Sequence, residues 1–147
     1  MKKFKRMPSV GSVMTPFPYF VNIDATVLEV ERLMRQHRIR HVPVEQNGRV
    51  TGIVSERDLR HLARGPSPET DKAQIRAREV MTADPYVASF DTPLNEVAAE
   101  MAKRRIGSTI IVHHEKLAGI MSVTDVCRIL AEILTSEFSS NTGGDAA

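Results

Sequence analysis

The stretch Gly52-Ile53-Val54-Ser55-Glu56-Arg57-Asp58-Leu59 decides how the rest of the sequence is interpreted. Its first residues end an apolar run with strand character, and Ser55 stands where a helix would begin. The stretch recurs 67 residues later as Gly119-Ile120-Met121-Ser122-Val123-Thr124-Asp125-Val126. Both copies place a hydroxyl and a carboxylate at a predicted helix N-terminus, a position that suits a small polar ligand.

The offset of 67 residues extends well beyond this stretch. An ungapped comparison of residues 13–59 with residues 80–126 covers 47 positions, of which 15 are identical. The match begins at Val13-Met14-Thr15-Pro16, which returns as Val80-Met81-Thr82-Ala83. A match of this length indicates an internal duplication, so the chain is interpreted as two copies of one unit.

Each unit is predicted to run strand, helix, strand, strand, helix. In the first copy, a helix that buries Val27, Val30 and Met34 leads to strands over residues 39–44 and 49–54, and a second helix opens at Ser55. In the second copy, Thr92 is the predicted N-cap of the first helix and Pro93 its first residue. Its buried face is predicted to contain Leu94, Val97, Ala98 and Met101.

The predicted organisation is a pair of repeats with short flanking segments. Because about 60 residues are marginal for independent folding, the repeats are expected to share a core. The fold class is therefore predicted as α+β, with two β-α-β-β-α repeats packed around a pseudo-twofold axis. The predicted segments are an N-terminal arm (1–12), repeat 1 (13–64), a linker (65–78), repeat 2 (79–138) and a disordered tail (139–147).

Composition argues against several functional classes. The chain has 147 residues, of which 41% are hydrophobic and 26% charged, which is typical of a globular protein. The net charge of +2 gives no argument for nucleic-acid binding. The single Cys127 fits a reducing cytoplasm, and no stretch has the ~18 apolar residues of a membrane span. No catalytic set or metal-ligand cluster is evident, so an enzyme is not predicted.

The order of elements, with Val-Met-Thr at the start and Gly-x-x-Ser-x-x-Asp at the end, resembles the cystathionine β-synthase (CBS) domain. The tandem arrangement over residues 13–130 is similar to a stand-alone CBS pair, or Bateman module. The resemblance implies a regulatory, energy-sensing module that binds adenosine nucleotides such as AMP, ADP or ATP in clefts between the repeats, with no required cofactor. It further implies a homodimer of pairs and an unidentified partner protein that responds to the conformational change.

By this resemblance, Asp58 and Asp125 would bind the ribose hydroxyls, and Ser55 and Ser122 would approach a phosphate. A carboxylate can accept hydrogen bonds from two vicinal hydroxyls, and a helix N-terminus favours an anion. The same residues also match a capping box, which contributes ~1 kcal/mol and needs no ligand. Both interpretations stay open at this point.

The two clefts are predicted to differ in charge. Arg40 and His41, with Arg57 nearby, supply cations for a phosphate in the first cleft, because a guanidinium matches phosphate oxygens. The second copy has Gly107 and Ser108 at the positions of Arg40 and His41. The Asp58 cleft is therefore predicted to hold the phosphorylated ligand. A solvated helix end remains the alternative for these cations.

The remaining predicted ligand-binding residues would complete the phosphate and adenine contacts; these are Val21, Pro43, Ser108, Thr109 and Thr124. For the apolar ones, an ordinary place in the core is the alternative. The alternative for the whole protein is an interaction or dimerisation module whose clefts are vestigial. Such a module would dimerise without responding to nucleotides.

Overall fold

The computed structural model describes residues 5–16, 18–63 and 72–139. Residues 1–4 of the predicted arm, residues 65–71 of the predicted linker and all but Ser139 of the predicted tail lie outside these ranges. The predictions of a loop at residues 65–71 and of a disordered tail at residues 140–147 therefore concern residues that are not described.

The two copies have the same elements in the same order. The first contains α1 (Val10–Val13), β1 (Thr15–Pro16), β2 (Val21–Asn22), α2 (Val27–His37), β3 (His41–Gln46), β4 (Arg49–Ser55) and α3 (Glu56–Ala63). The second contains α4 (Ala77–Val80), β5 (Thr82–Ala83), β6 (Val87–Ser89), α5 (Leu94–Arg104), β7 (Ser108–His113), β8 (Lys116–Ser122) and α6 (Val123–Phe138). Every element of the first copy has its counterpart 67 residues later, which confirms the predicted α+β fold.

Each sheet is completed by a strand from the other copy. The strand orders are β2-β3-β4-β5 and β6-β7-β8-β1, so β1 and β5 are exchanged. Strand β1 pairs with β8 through Thr15 and Ile120, and β5 pairs with β4 through Thr82 and Ile53. Neither copy therefore builds its four-stranded sheet alone.

The cores follow the same exchange. Val10 of α1 is fully buried in the core of the second copy, and Ala77 of α4 is fully buried in the core of the first. The amide of Val10 donates to the carbonyl of Thr92 at 2.7 Å, and the amide of Ala77 donates to that of Ala25 at 2.7 Å. The predicted domain boundaries fall inside α1 and α4, and those boundaries stay a prediction.

The long helices bury the faces that the sequence predicts. Val27, Val30 and Met34 of α2 are buried, as are Leu94, Val97 and Met101 of α5, whereas Ala98 is half-buried. This stripe positions each helix on its sheet and fixes where the helix ends meet the strands.

The predicted start of α5 is wrong by one residue. The helix begins at Leu94, and Pro93 occupies the N-cap position with φ −58° and ψ 139°. The amide of Leu94 is satisfied by the carbonyl of Pro8, at 2.9 Å. Because that acceptor comes from the N-terminal segment, Thr92 is not needed as a cap. Its own amide donates to Ser89, at 3.0 Å.

Candidate functional site

Ser55 and Asp58 are joined by two reciprocal hydrogen bonds at the start of α3. The amide of Ser55 donates to Asp58 Oδ2 at 2.8 Å, and the amide of Asp58 donates to Ser55 Oγ at 3.1 Å. This is the capping box that the sequence pattern allows. It occupies one carboxylate oxygen of Asp58, and both side chains remain half-buried.

The start of α6 repeats the capping box and adds an ion pair. Asp125 Oδ2 accepts from the amide and the hydroxyl of Ser122, both at 2.9 Å, and the amide of Asp125 donates to Ser122 Oγ at 3.1 Å. The other oxygen, Oδ1, lies 3.1 Å from the guanidinium of Arg128. Both oxygens of Asp125 are therefore engaged, and the residue is only 7% exposed.

The two aspartates consequently differ in availability. Within the described ranges, Asp58 has no salt-bridge partner within 4.0 Å, because His61 stands where the second copy has Arg128. Of the two aspartates, Asp58 is thus the one whose Oδ1 has no hydrogen-bond or ion-pair partner among the described residues. The sequence interpretation missed the role of Arg128, although its spacing of three residues from Asp125 on a helix is a usable signal.

Arg40 lies next to the first turn of α3. Its carbonyl accepts the amide of Glu56 at 2.8 Å, and its guanidinium lies 3.6 Å from the Glu56 carboxylate. The side chain is 80% exposed, so it can reorient toward an anion at little cost. Arg57 is exposed on the first turn of α3, and Thr124 is exposed at the matching position of α6.

His41 joins the first site to the second copy. It faces Ser55 across the β3–β4 ladder. A Cβ added to Gly107 would lie 2.8 Å from His41 Nε2. The imidazole therefore packs against Gly107, and a larger residue at that position would require the His41 side chain to move. Burial lowers the pKa of His41 below its ordinary value of 6.5, with Asp58 opposing this effect and the positive charge of Arg40 adding to it. The imidazole therefore favours its neutral form.

The other predicted residues lie in different places. Ser108 is buried and pairs with Ser122 across β7 and β8. Pro43 is fully buried between its neighbours Val42 and Val44, which face the first core, so Pro43 faces the opposite side of the sheet. Val21 is half-buried against the first core.

Thr109 is the most unusual of these residues. It is fully buried, and its cross-strand partner Met121 and its neighbour Ile111 both belong to the second core. Strand alternation therefore directs Thr109 to the helix-covered face. Among the described residues, its hydroxyl is the buried side-chain polar atom without a hydrogen-bond partner.

The structure thus brings together Arg40, His41, Ser55 and Asp58, and separately Ser108, Ser122 and Asp125.

In the part of the chain that the structure describes, no three His, Cys, Asp or Glu side chains form a group that suits a metal ion. His113 contacts the rings of Phe90 and His114 at the β7–β8 turn. None of the described helices has the length and apolar character that crossing a bilayer requires.

Comparison with known proteins places the chain among relatives of the same architecture. The model of the CBS domain matches twice, at residues 10–65 and 77–132. The chain belongs to the CBS domain family. It is 27% identical over 142 residues to the CBS domain-containing protein YhcV of Bacillus subtilis, covering 95% of this chain and 93% of YhcV.

Further relatives include a longer enzyme and two proteins with solved structures. Inosine-5′-monophosphate dehydrogenase of Staphylococcus epidermidis is 29% identical over 134 residues, which are 88% of this chain but 25% of that enzyme. AcuB of Vibrio cholerae has a TM-score of 0.76 at 31% identity, covering 92% of this chain and 98% of AcuB. The CBS pair of protein MJ0100, solved with 5′-methylthioadenosine and S-adenosyl-L-methionine, has a TM-score of 0.75 at 23% identity, covering 86% and 98%.

Proposed function

We propose that this CBS pair is a regulatory module that binds an adenosine nucleotide at the cleft beside Asp58. Asp58 would accept the ribose hydroxyls, and Ser55, Arg40 and His41 would contact the phosphate at the N-terminus of α3. The bound nucleotide would change the packing of the two copies, and a partner protein in the cytoplasm would respond. The module itself would carry out no reaction.

The single observation that supports this proposal most is the arrangement of Asp58. One of its oxygens forms the capping box with Ser55, and the other has no salt bridge in the described ranges. A carboxylate held rigidly by a cap, with a lone oxygen left over, is preorganised to accept hydroxyl donors. The adenosine compounds bound by MJ0100 are a property of that protein and support the class of ligand proposed here.

We infer that the Asp125 cleft is the weaker site. Arg128 occupies Oδ1 of Asp125, and the positions of Arg40 and His41 hold Gly107 and Ser108. A ligand there would have to displace an ion pair and would find no counterpart of the Arg40 guanidinium. We expect binding at the first cleft to dominate, with the second cleft empty or selective for a less charged adenosine compound.

A thermal-shift and calorimetry screen with AMP, ADP, ATP, S-adenosylmethionine and NAD tests the proposal. A ligand that binds the native state stabilises it by about 2.7 kcal/mol at one hundred times its Kd. Asp58→Asn retains an oxygen for the cap but removes the charge, so affinity should fall about tenfold or more. The matched control Asp125→Asn should change affinity far less. Equal affinity in Asp58→Asn and the wild type would refute the site.

A second candidate function, a dimerisation module with vestigial clefts, is favoured by the outer face of α6. Val123, Leu130, Leu134 and Phe138 are 46–63% exposed and lie on one side of the helix. A second copy of the chain would bury this face. Sedimentation of the wild type and of Leu134→Glu tests it: a dimer that dissociates in the variant, with no nucleotide-induced thermal shift, would favour this function over nucleotide sensing.

A further inference from the structure

A groove of about 570 Å³ runs between the C-terminal half of α2 and the first turns of α3. Its floor is apolar: Met34 and Leu59 are each 7% exposed, and Ile39 is half-buried. Its rim is mostly cationic. The charged lining residues are Arg35, Arg38, Arg40, Arg60, Glu31 and Glu56.

The acidic side chains of the rim are already paired. Glu31 forms a salt bridge with Lys72, at 3.0 Å. Glu56 is shared by Arg40, at 3.6 Å, and Arg60, at 3.7 Å. In the described ranges, Arg35 and Arg38 have no carboxylate within 4.0 Å, so the groove carries positive charge that the described residues do not neutralise.

Five of the six charged lining positions are uncharged in the second copy, and the sixth, Arg38, is matched by Arg105. The positions equivalent to Glu31, Arg35, Arg40, Glu56 and Arg60 are Ala98, Ala102, Gly107, Val123 and Cys127. Helices α5 and α6 lie on their sheet in the same way with small or apolar residues at all five positions. Five of the six charges are therefore features of the first copy only, and the second copy adopts the same fold without them; only Arg38 has a charged counterpart, Arg105.

We propose that the α2–α3 groove is a docking site for an acidic segment of a partner protein, with an apolar side chain seated on the floor. Guanidinium groups bind carboxylates bidentately, and Arg35 and Arg38 have no carboxylate partner among the residues that the structure describes. An apolar anchor with flanking carboxylates matches a floor of Met34, Ile39 and Leu59 inside an arginine rim. The apolar floor favours a peptide as the occupant, because a phosphate backbone has no apolar side chain to place on Met34, Ile39 and Leu59.

This docking site does not depend on the nucleotide proposal. The groove shares Arg40 and Glu56 with the surroundings of the Asp58 cleft, whereas Arg35 and Arg38 are not among the residues proposed to bind the nucleotide. Variants of these two arginines therefore test docking alone. A failure of nucleotide binding in the wild type leaves the docking result unaffected.

The experiment uses the full chain and a fluorescein-labelled peptide, Glu-Glu-Leu-Glu-Glu-Leu, followed by fluorescence anisotropy. The wild type should bind the peptide, and its Gln-for-Glu analogue should not compete. Arg35→Glu with Arg38→Glu should weaken binding about tenfold or more, because two charge-assisted contacts are replaced by repulsion. The matched control is Arg49→Glu with Lys116→Glu, the same charge change on the hairpins, which should weaken binding less than about threefold.

Three results would overturn the proposal. Equal weakening in the control pair would show general electrostatic attraction. Dissociation of a dimer by the Arg35/Arg38 substitutions, measured by light scattering, would show that a second copy occupies the groove. Competition by an oligouridylate that depends on the same arginines would assign the groove to nucleic acid. Melting temperatures of both double variants verify that each is folded.

Discussion

Met81, in the opening motif of the second copy, lies against Gly52, in the closing motif of the first. A Cβ on Gly52 would collide with Met81 Sδ and would lie 2.9 Å from the carbonyl oxygen of Thr82. Met14 contacts Gly119 in the same way, with Thr15 in the place of Thr82. The two motifs that mark each copy in the sequence thus meet across the copies, where β5 pairs with β4 and β1 with β8.

Gly52→Ala should destabilise the protein by about 1–3 kcal/mol, because the added methyl group overpacks a site bounded by backbone as well as side chain. Chemical denaturation at equilibrium measures the change. In a Met81→Ala background the glycine substitution should cost less, since the side-chain part of the collision is removed. An unchanged cost in that background would mean that Met81 does not restrict the position.

Removal of the buried Thr109 hydroxyl should stabilise the protein, in contrast to the glycine substitution. Val42 occupies the equivalent position of the first copy and is also fully buried, so valine fits this place in the fold. Thr109→Val should stabilise the protein by about 1 kcal/mol by removing an unsatisfied polar group. The reverse change, Val42→Thr, should destabilise by a similar amount. If Thr109→Val is destabilising, the hydroxyl has a partner that the described residues do not supply.

Local signals explain how much of this fold could be predicted. The stripe Val27, Val30 and Met34 and the Asn47-Gly48 turn fix a helix and a hairpin by periodicity and turn chemistry alone. The exchange of β1 and β5 could not be predicted, because two-residue strands carry no periodic pattern. The prediction of where α5 begins was wrong for a related reason. The amide of Leu94 bonds to the carbonyl of Pro8, which is distant in sequence.

The candidate site was predictable to a similar degree. The contact between Ser55 and Asp58 was predictable from the sequence, because a three-residue spacing at a helix start brings the two side chains together locally. The inequality of the clefts was predicted from Arg40 and His41, whereas the structure adds the pairing of Arg128 with Asp125. The contact of His41 with Gly107 depends on how the two copies pack, which no spacing within one copy reveals.

His41 should make stability depend on pH. Burial lowers its pKa in the folded state, with Arg40 adding to this and Asp58 and Glu56 opposing it. Between the lowered pKa and the ordinary value of 6.5, the unfolded chain binds more protons, so stability should rise with pH. Denaturation midpoints measured across this window should show the slope, and His41→Gln should reduce it. A slope that is unchanged in the variant would contradict the assignment.

Arg128 should restrict ligand access to Asp125. Arg128→Gln removes the ion pair at Oδ1 while leaving the capping bonds of Asp125 to Ser122 intact. Because Arg128 is more than half exposed, the loss of stability should stay below about 1 kcal/mol. Calorimetry should then reveal a second, weaker nucleotide site or a stoichiometry nearer two. His61→Arg, the mirror substitution, should weaken binding at the Asp58 cleft, and no effect of either change would contradict the proposed inequality.

The β7–β8 turn holds two residues in an unfavourable backbone conformation. His114 and Glu115 have φ of 51° and 65°, and the equivalent Asn47 and Gly48 have φ of 53° and 77°. A two-residue hairpin turn with both φ values positive favours Asn-Gly, and a residue with a Cβ is strained there. Glu115→Gly should therefore stabilise the protein by about 0.5–1 kcal/mol, because relief of strain exceeds the added flexibility of the unfolded chain. The pair of Glu115 with Arg49, at 4.0 Å between highly exposed side chains, contributes little. Gly48→Glu should destabilise the protein by a similar amount, and urea denaturation measures both variants. If Glu115→Gly does not stabilise the protein, other contacts of His114 and Glu115 offset the strain of the turn.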